Sequence, residues 1–300
     1  MTTTKTNNYI FSLLLFVVLL WGINVVMIKY LTNYYPPLAL APIRLSLATC
    51  LLLPVVFYKQ GYTLPPRGAM LGIVGIATFS IFLHQIALSW GIALTSSSHA
   101  SLILALNPML TTALSSYLIK EPFTRTKGLG ILLGFSGVAL VVSGASRGEA
   151  TFLGDAIMFI ATITFVVGSL FVKKSTAVLS PLIVTAYSHT LASIGLLCMG
   201  FFFNPVWNYP GAFEPLPLAV LLFSSLVSTA LGALWWNIGI QQVGAATASL
   251  FLNGQPVIGV FAAAAFLGEE LYWPHYVALL LVILGVSLGT GVISNKNRAH

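Results

Sequence analysis

The sequence predicts an all-α integral membrane protein: ten transmembrane helices arranged as two inverted five-helix repeats. Three observations carry this. Hydrophobic residues make up 58% of the 300 positions and charged residues only 6%, against about a quarter in ordinary soluble domains. The apolar residues fall into ten runs, each near the 20 or so needed to cross a bilayer. The chain also matches itself when displaced by 148 residues, about half its length. So few charges cannot clothe a soluble domain of this size, and the high hydrophobicity excludes disorder.

The runs cover residues 9–31, 38–58, 68–90, 95–118, 126–145, 153–173, 179–203, 216–238, 243–267 and 272–293. The first is too long for the apolar core of a removable signal peptide and reads as a permanent span. Tyr35-Pro36-Pro37 ends it, because proline cannot continue a helix. Pro65-Pro66-Arg67 separates the second and third spans, and Lys120-Glu121-Pro122 the fourth and fifth. The segment from Asn204 to Pro217 separates the seventh and eighth. The weakest boundary lies at 90–95, where only "WGIALTSSS" divides two helices.

Net charge is +7. With the N-terminus cytoplasmic, inside segments hold Lys5, Lys59, Arg67, Lys120, Arg125, Lys127, Lys173, Lys174, Lys296 and Arg298, and outside segments only Lys29 and Arg147. That asymmetry follows the positive-inside rule. It predicts cytoplasmic N- and C-termini and explains the basic charge without nucleic acid. Cys50 and Cys198 lie in apolar runs and form no metal or redox motif.

At the 148-residue displacement Pro108 meets Pro256, Glu121 meets Glu269, Gly137 meets Gly285, and "ASLIL" meets "ASLFL". Five spans is an odd number, so a second copy enters the membrane upside down. Inverted repeats of this kind are common in secondary transporters. The boundaries are 9–145 for the first repeat and 153–293 for the second. Pro108 and Pro256 read as mid-helix prolines that bend their spans, acting as hinges or gates beside a midplane cavity. A packing kink is the alternative.

Ten spans in two related halves, an early "LLWGINVVMIK" and the stretch "TSSSHASLILALNPMLTTALSSYLIKEPFT" resemble the EamA-type drug/metabolite transporter superfamily. The resemblance runs from about Tyr9 to Ile293. It implies a metabolite carrier, often an exporter of amino acids or related solutes, with a central cavity between halves. The second half departs from the pattern: "MFIATITFVVGSLFVKK" lacks the Trp-Gly of "LLWGIN".

Polar residues inside spans are expensive and face the protein interior. The candidates for substrate binding are Trp21, Asn24, Arg44, His84, His99, Asn107, Trp235, Asn237, Asn253 and Gln255. Trp21 and Asn24 share a helix face. Side-chain amides bind both a carboxylate and an amine without a charge of their own; they also satisfy carbonyls freed at a bend. Arg44 attracts an anion, or it snorkels or binds backbone carbonyls. No Asp or Glu sits deep in a span, which argues against a carboxylate proton relay and leaves His84, His99 and His189 as titratable groups.

These readings predict a carrier of small polar metabolites, amino acids or their relatives, working by alternating access in the plasma membrane. It needs no cofactor or metal and functions as a monomer or weak homodimer. A sugar-phosphate or nucleotide-sugar carrier is the alternative within this class; it calls for more cationic charge than Arg44 and Lys29 supply. A membrane enzyme acting on lipids is the alternative outside it. No GxSxG, HExxH or phosphate-loop sequence supports an enzyme.

Overall fold

The computed structural model describes residues 2–61, 64–119, 125–143, 150–203, 209–244, 248–249 and 251–289. Lys120, Glu121, Arg147, Lys296 and Arg298 lie outside the described residues. Every regular element among those described is helical: α1 (Thr2–Leu31), α2 (Pro37–Gln60), α3 (Arg67–Leu94), α4 (Ser97–Leu104), α5 (Asn107–Ile119), α6 (Arg125–Ser143), α7 (Phe152–Ser175), α8 (Pro181–Phe203), α9 (Pro215–Val243), α10 (Gln255–Leu267) and α11 (Trp273–Gly289). In lipid the backbone must satisfy its own hydrogen bonds, which is why the apolar runs are helices.

Six helices among the described residues are long and apolar enough to cross a membrane: α1 from Tyr9, α2, α3, α7, α8 and α9. Shorter apolar stretches lie at Gly128–Leu140, Leu252–Leu267 and Trp273–Gly285. The turn chemistry is where the prolines and glycines place it. Pro36 is extended and Pro37 opens α2, while Gly61 closes it at φ 71°. The division at 90–95 is real: α3 ends at Leu94, Thr95 is extended, and the Ser96 hydroxyl caps α4 by accepting from the His99 amide.

The reading of Pro108 and Pro256 as mid-helix prolines is corrected. The predicted fourth span is broken at Ala105 and Leu106, and Pro108 is the second residue of α5. A 3-10 turn at Leu252–Gly254 precedes α10, and Pro256 is its second residue. At a helix start the missing proline N–H costs nothing, because the first amides have no intrahelical partner anyway. Each proline therefore marks the start of a half-helix rather than a bend in a whole one. True mid-helix prolines occur in α2, at Pro42 and Pro54.

Two helices carry π-helical stretches, Ile76–Leu83 in α3 and Phe223–Leu231 in α9. Such stretches are uncommon and concentrate at functional sites. Displacing the first by 148 residues gives 224–231, almost the whole of the second. The break at Ala105-Leu106 similarly falls on Asn253-Gly254, within the 3-10 turn.

Helices α6 and α11 pack closely on each other. A Cβ on Gly137 would lie 2.9 Å from the Ala278 carbonyl oxygen, and one on Gly285 would lie 2.6 Å from that of Gly130. Only glycine permits this approach at both matched positions. Buried Ile10, Leu14, Val17, Leu45, Ile76, Val172 and Trp236 form one core cluster; Val25, Leu40, Leu88, Ile103 and Met158 belong to another.

Candidate substrate cavity

A cavity of about 110 Å³ lies among α1, α2, α3, α7, α8 and α9 and the amino ends of α5 and α10. Seven of the ten candidates line it: Trp21, Asn24, Arg44, His84, Asn107, Asn237 and Gln255. Sequence reasoning missed Gln85, Phe165, Ser188, His189, Ser228, Thr229 and Trp236 as lining residues. Of these, Gln85 and His189 are polar residues within spans, and that signal was already visible.

One wall is aromatic. The Trp21 ring lies 5.2 Å from Trp236 and 5.9 Å from Phe165 between centroids, and His84 lies 5.2 Å from Phe165. Trp21 Nε1 donates to the Ser228 carbonyl at 3.0 Å, so the indole is fixed within the protein and is no interfacial anchor. Gly232 leaves the room it needs: a Cβ there would lie 2.8 Å from Trp21 Nε1.

The opposite feature is polar. Arg44 is wholly buried, so the snorkelling alternative is excluded. Its Nε donates to Ser224 Oγ at 3.0 Å, one terminal nitrogen to Thr229 Oγ1 at 2.8 Å, and the other to Gln85 Oε1 at 3.3 Å. Ser224 and Thr229 belong to the π-helical stretch of α9. Their hydroxyl protons are already used: Ser224 donates to Asn24 Oδ1 at 2.6 Å and Thr229 to the Ser224 carbonyl at 2.8 Å. Both hydroxyls therefore turn lone pairs toward the guanidinium and hold it in place.

His84 Nδ1 is 2.8 Å from the Ala161 carbonyl and His189 Nδ1 2.8 Å from that of Thr185. Each ring thus donates from Nδ1, which leaves Nε2 as an acceptor in the neutral form. The Asn237 amide donates to Thr185 Oγ1 at 2.8 Å. Asn107 Oδ1 and Ser228 Oγ are buried without a hydrogen-bond partner among the described residues. Asn107 and Gln255 each immediately precede a half-helix proline, and both reach the cavity.

Three candidates sit elsewhere. Trp235 does not line the cavity; its ring lies 5.7 Å from that of the exposed Phe16, tilted by 51°, and Trp236 takes the wall position instead. Asn253 lies in the 3-10 turn before α10, with a buried, unpartnered Oδ1. His99 stands at the amino end of α4, with its Nδ1 3.1 Å from Asp155 Oδ2. Thr95 Oγ1 also donates to Asp155, at 2.6 Å, and Lys29 donates to the Thr95 carbonyl at 2.9 Å. Asp155 stands at the start of its helix rather than deep in a span, and it is nonetheless buried. Asp155 is only 3% exposed, in the first turn of α7, because two side chains from the neighbouring segment satisfy it. Glu269, in the turn between α10 and α11, accepts from the Ser97 amide at 2.7 Å, the Ser98 amide at 3.0 Å and the Ser98 hydroxyl at 2.7 Å.

Comparison with known proteins matches this architecture to a transport family. The uncharacterized transporter YyaM of Bacillus subtilis is 31% identical over 282 residues, covering 88% of each chain. A probable amino-acid metabolite efflux pump of Salmonella typhimurium is 26% identical over 284 residues, covering 91% of this chain and 92% of its own. A solved crystal structure superposes with a TM-score of 0.67 over 96% of this chain and 98% of that one; at 18% identity it speaks for the fold alone. The model of the EamA-like transporter family matches twice, over residues 8–143 and 152–290. With a family match across nearly its whole length, this multi-pass membrane protein belongs to the EamA-like transporter family.

Proposed function

We propose that the protein is a secondary transporter, an exporter or facilitator of small polar metabolites, with amino acids or their relatives as the substrate class. In this reading ten spans form two inverted five-helix repeats, 9–145 and 153–293, with both termini cytoplasmic in the plasma membrane. The observation that carries it is the cavity itself. Related irregularities from both halves, the π-helical stretches of α3 and α9 and the half-helix starts at Asn107 and Gln255, all contribute residues to it.

Two copies in opposite orientation can exchange shapes, so that inward-open and outward-open states lie close in energy. Pro108 and Pro256 allow each half-helix to swivel at its start. Trp21, Asn24, His84, Asn107, Asn237 and Gln255 orient the solute, and Trp236 completes the aromatic wall. The name of the Salmonella relative supports amino acids as the class to test first.

Counterflow in liposomes tests the proposal, with a panel of labelled amino acids and the variants Asn107→Ala and Gln255→Ala. Saturable exchange that falls at least about tenfold in both variants is expected from loss of one or two substrate hydrogen bonds. Exchange that survives both changes would move the site away from the half-helix starts. No exchange of any amino acid would refute the substrate class.

A further inference from the structure

Resting on the carrier reading, we infer that the cavity selects solutes bearing a free carboxylate, which docks on the Arg44 guanidinium. Arg44 is 0% exposed, and every acceptor it reaches is neutral: Ser224, Thr229 and Gln85. A buried charge is ordinarily paired with an opposite one. Among the described residues, no Asp or Glu lines the cavity. The four described acids lie elsewhere: Asp155 with His99 and Thr95, Glu269 on the first turn of α4, Glu270 with Tyr272, and Glu214 at the start of α9.

Donor count points the same way. A guanidinium has five N–H groups, and three are engaged. One N–H on each terminal nitrogen is left without a partner among the described residues, and such groups suit an oxyanion. Its orientation is set beforehand, because Ser224 and Thr229 spend their own protons on Asn24 and on a backbone carbonyl.

Backbone electrostatics add to the charge. The 13-residue helices α5 and α10 both begin at cavity-lining residues, Asn107 and Gln255. Two helix amino ends therefore bring partial positive charge to the same space. For a zwitterion the balancing acceptor is present as well, in the unpartnered Asn107 Oδ1. A cation without an acid group meets Arg44 with no compensation.

Thermal unfolding of the purified full-length protein in detergent tests this, using matched probes: leucine against leucinamide, phenylalanine against phenylalaninamide, and 3-phenylpropionate. The acids are expected to raise the unfolding midpoint saturably and the amides are not. Arg44→Gln is expected to weaken the acid response about tenfold or more, with Arg44→Lys retaining part of it. Equal shifts from acids and amides, or no shift from any acid, would overturn the inference on the unmodified protein alone, even if a variant does not fold. Counterflow on the same preparation separates the two proposals. Exchange of leucinamide as fast as leucine would keep the carrier and remove the carboxylate requirement. Acid-dependent stabilisation without exchange would keep the Arg44 site and remove the carrier.

Discussion

Replacing Glu269 with alanine should unfasten the turn between α10 and α11 from the amino end of α4. A helix start leaves its first amides without partners. In α4 the Ser96 hydroxyl takes the His99 amide, and the Ala100 amide bonds the Ser96 carbonyl. The Ser97 and Ser98 amides depend on the two oxygens of Glu269, at 2.7 and 3.0 Å, and the Ser98 hydroxyl adds a third bond at 2.7 Å. Hydrogen bonds to a charged group contribute about 1.5–3 kcal/mol each. The three share one partly exposed carboxylate, so the net loss is set below their sum, at about 2–4 kcal/mol. For a chain of this length that is a fall in the midpoint of about 3–6 °C. Thermal unfolding in detergent measures it. Glu270→Ala is the control: Glu270 is exposed and accepts from the nearby Tyr272, and its loss should stay within about 0.5 kcal/mol. A Glu269→Ala protein as stable as its parent, or no less stable than Glu270→Ala, would refute the reasoning.

Other consequences follow from the same contacts. Asp155→Asn removes the charge that faces His99 and Thr95 in a buried setting and should lower stability by about 3–5 kcal/mol, read as an unfolding midpoint. Gly285→Leu should separate α6 from α11 at a cost of about 1–3 kcal/mol or more, visible as reduced yield of monodisperse protein. Trp21→Phe keeps the aromatic wall but removes the indole hydrogen bond to the Ser228 carbonyl; a loss of about 1 kcal/mol is expected by thermal unfolding. The same variant should retain more counterflow activity than Trp21→Ala, which also removes the ring contacts to Phe165 and Trp236.

Apolar runs and proline-rich turns made the helices legible, since in a membrane both follow from simple rules about length and backbone hydrogen bonding. The polar residues of the cavity were legible for the same reason: Asn24, Arg44, His84 and Gln255 stand out against leucine and valine. Phase was harder. The π-helical stretch Phe223–Leu231 lies just before the two tryptophans, and its hydrogen bonds close five residues apart rather than four. A reading at 3.6 residues per turn misplaces the face downstream of it, and Trp236, not Trp235, meets the cavity. The proline reading missed because a proline in an apolar run looks the same whether the helix bends or restarts. Asp155 was hidden because its partners Thr95 and His99 lie 60 and 56 residues away in sequence, and no local spacing announces such a pair.

The π-helical stretches also store length. Each holds surplus backbone inside an otherwise regular helix, close to where Ser80, Ser228 and Thr229 border the cavity. Tightening either stretch to α geometry would advance the helix below it like the thread of a screw, turning downstream side chains about the axis while the hydrogen-bonded ends stay attached. In α9 that rotation would carry Trp236 and Asn237 out of the wall and release Arg44 from Thr229 in one movement. The same few residues would then set both the grip on a solute and the angle of the helix that presents it.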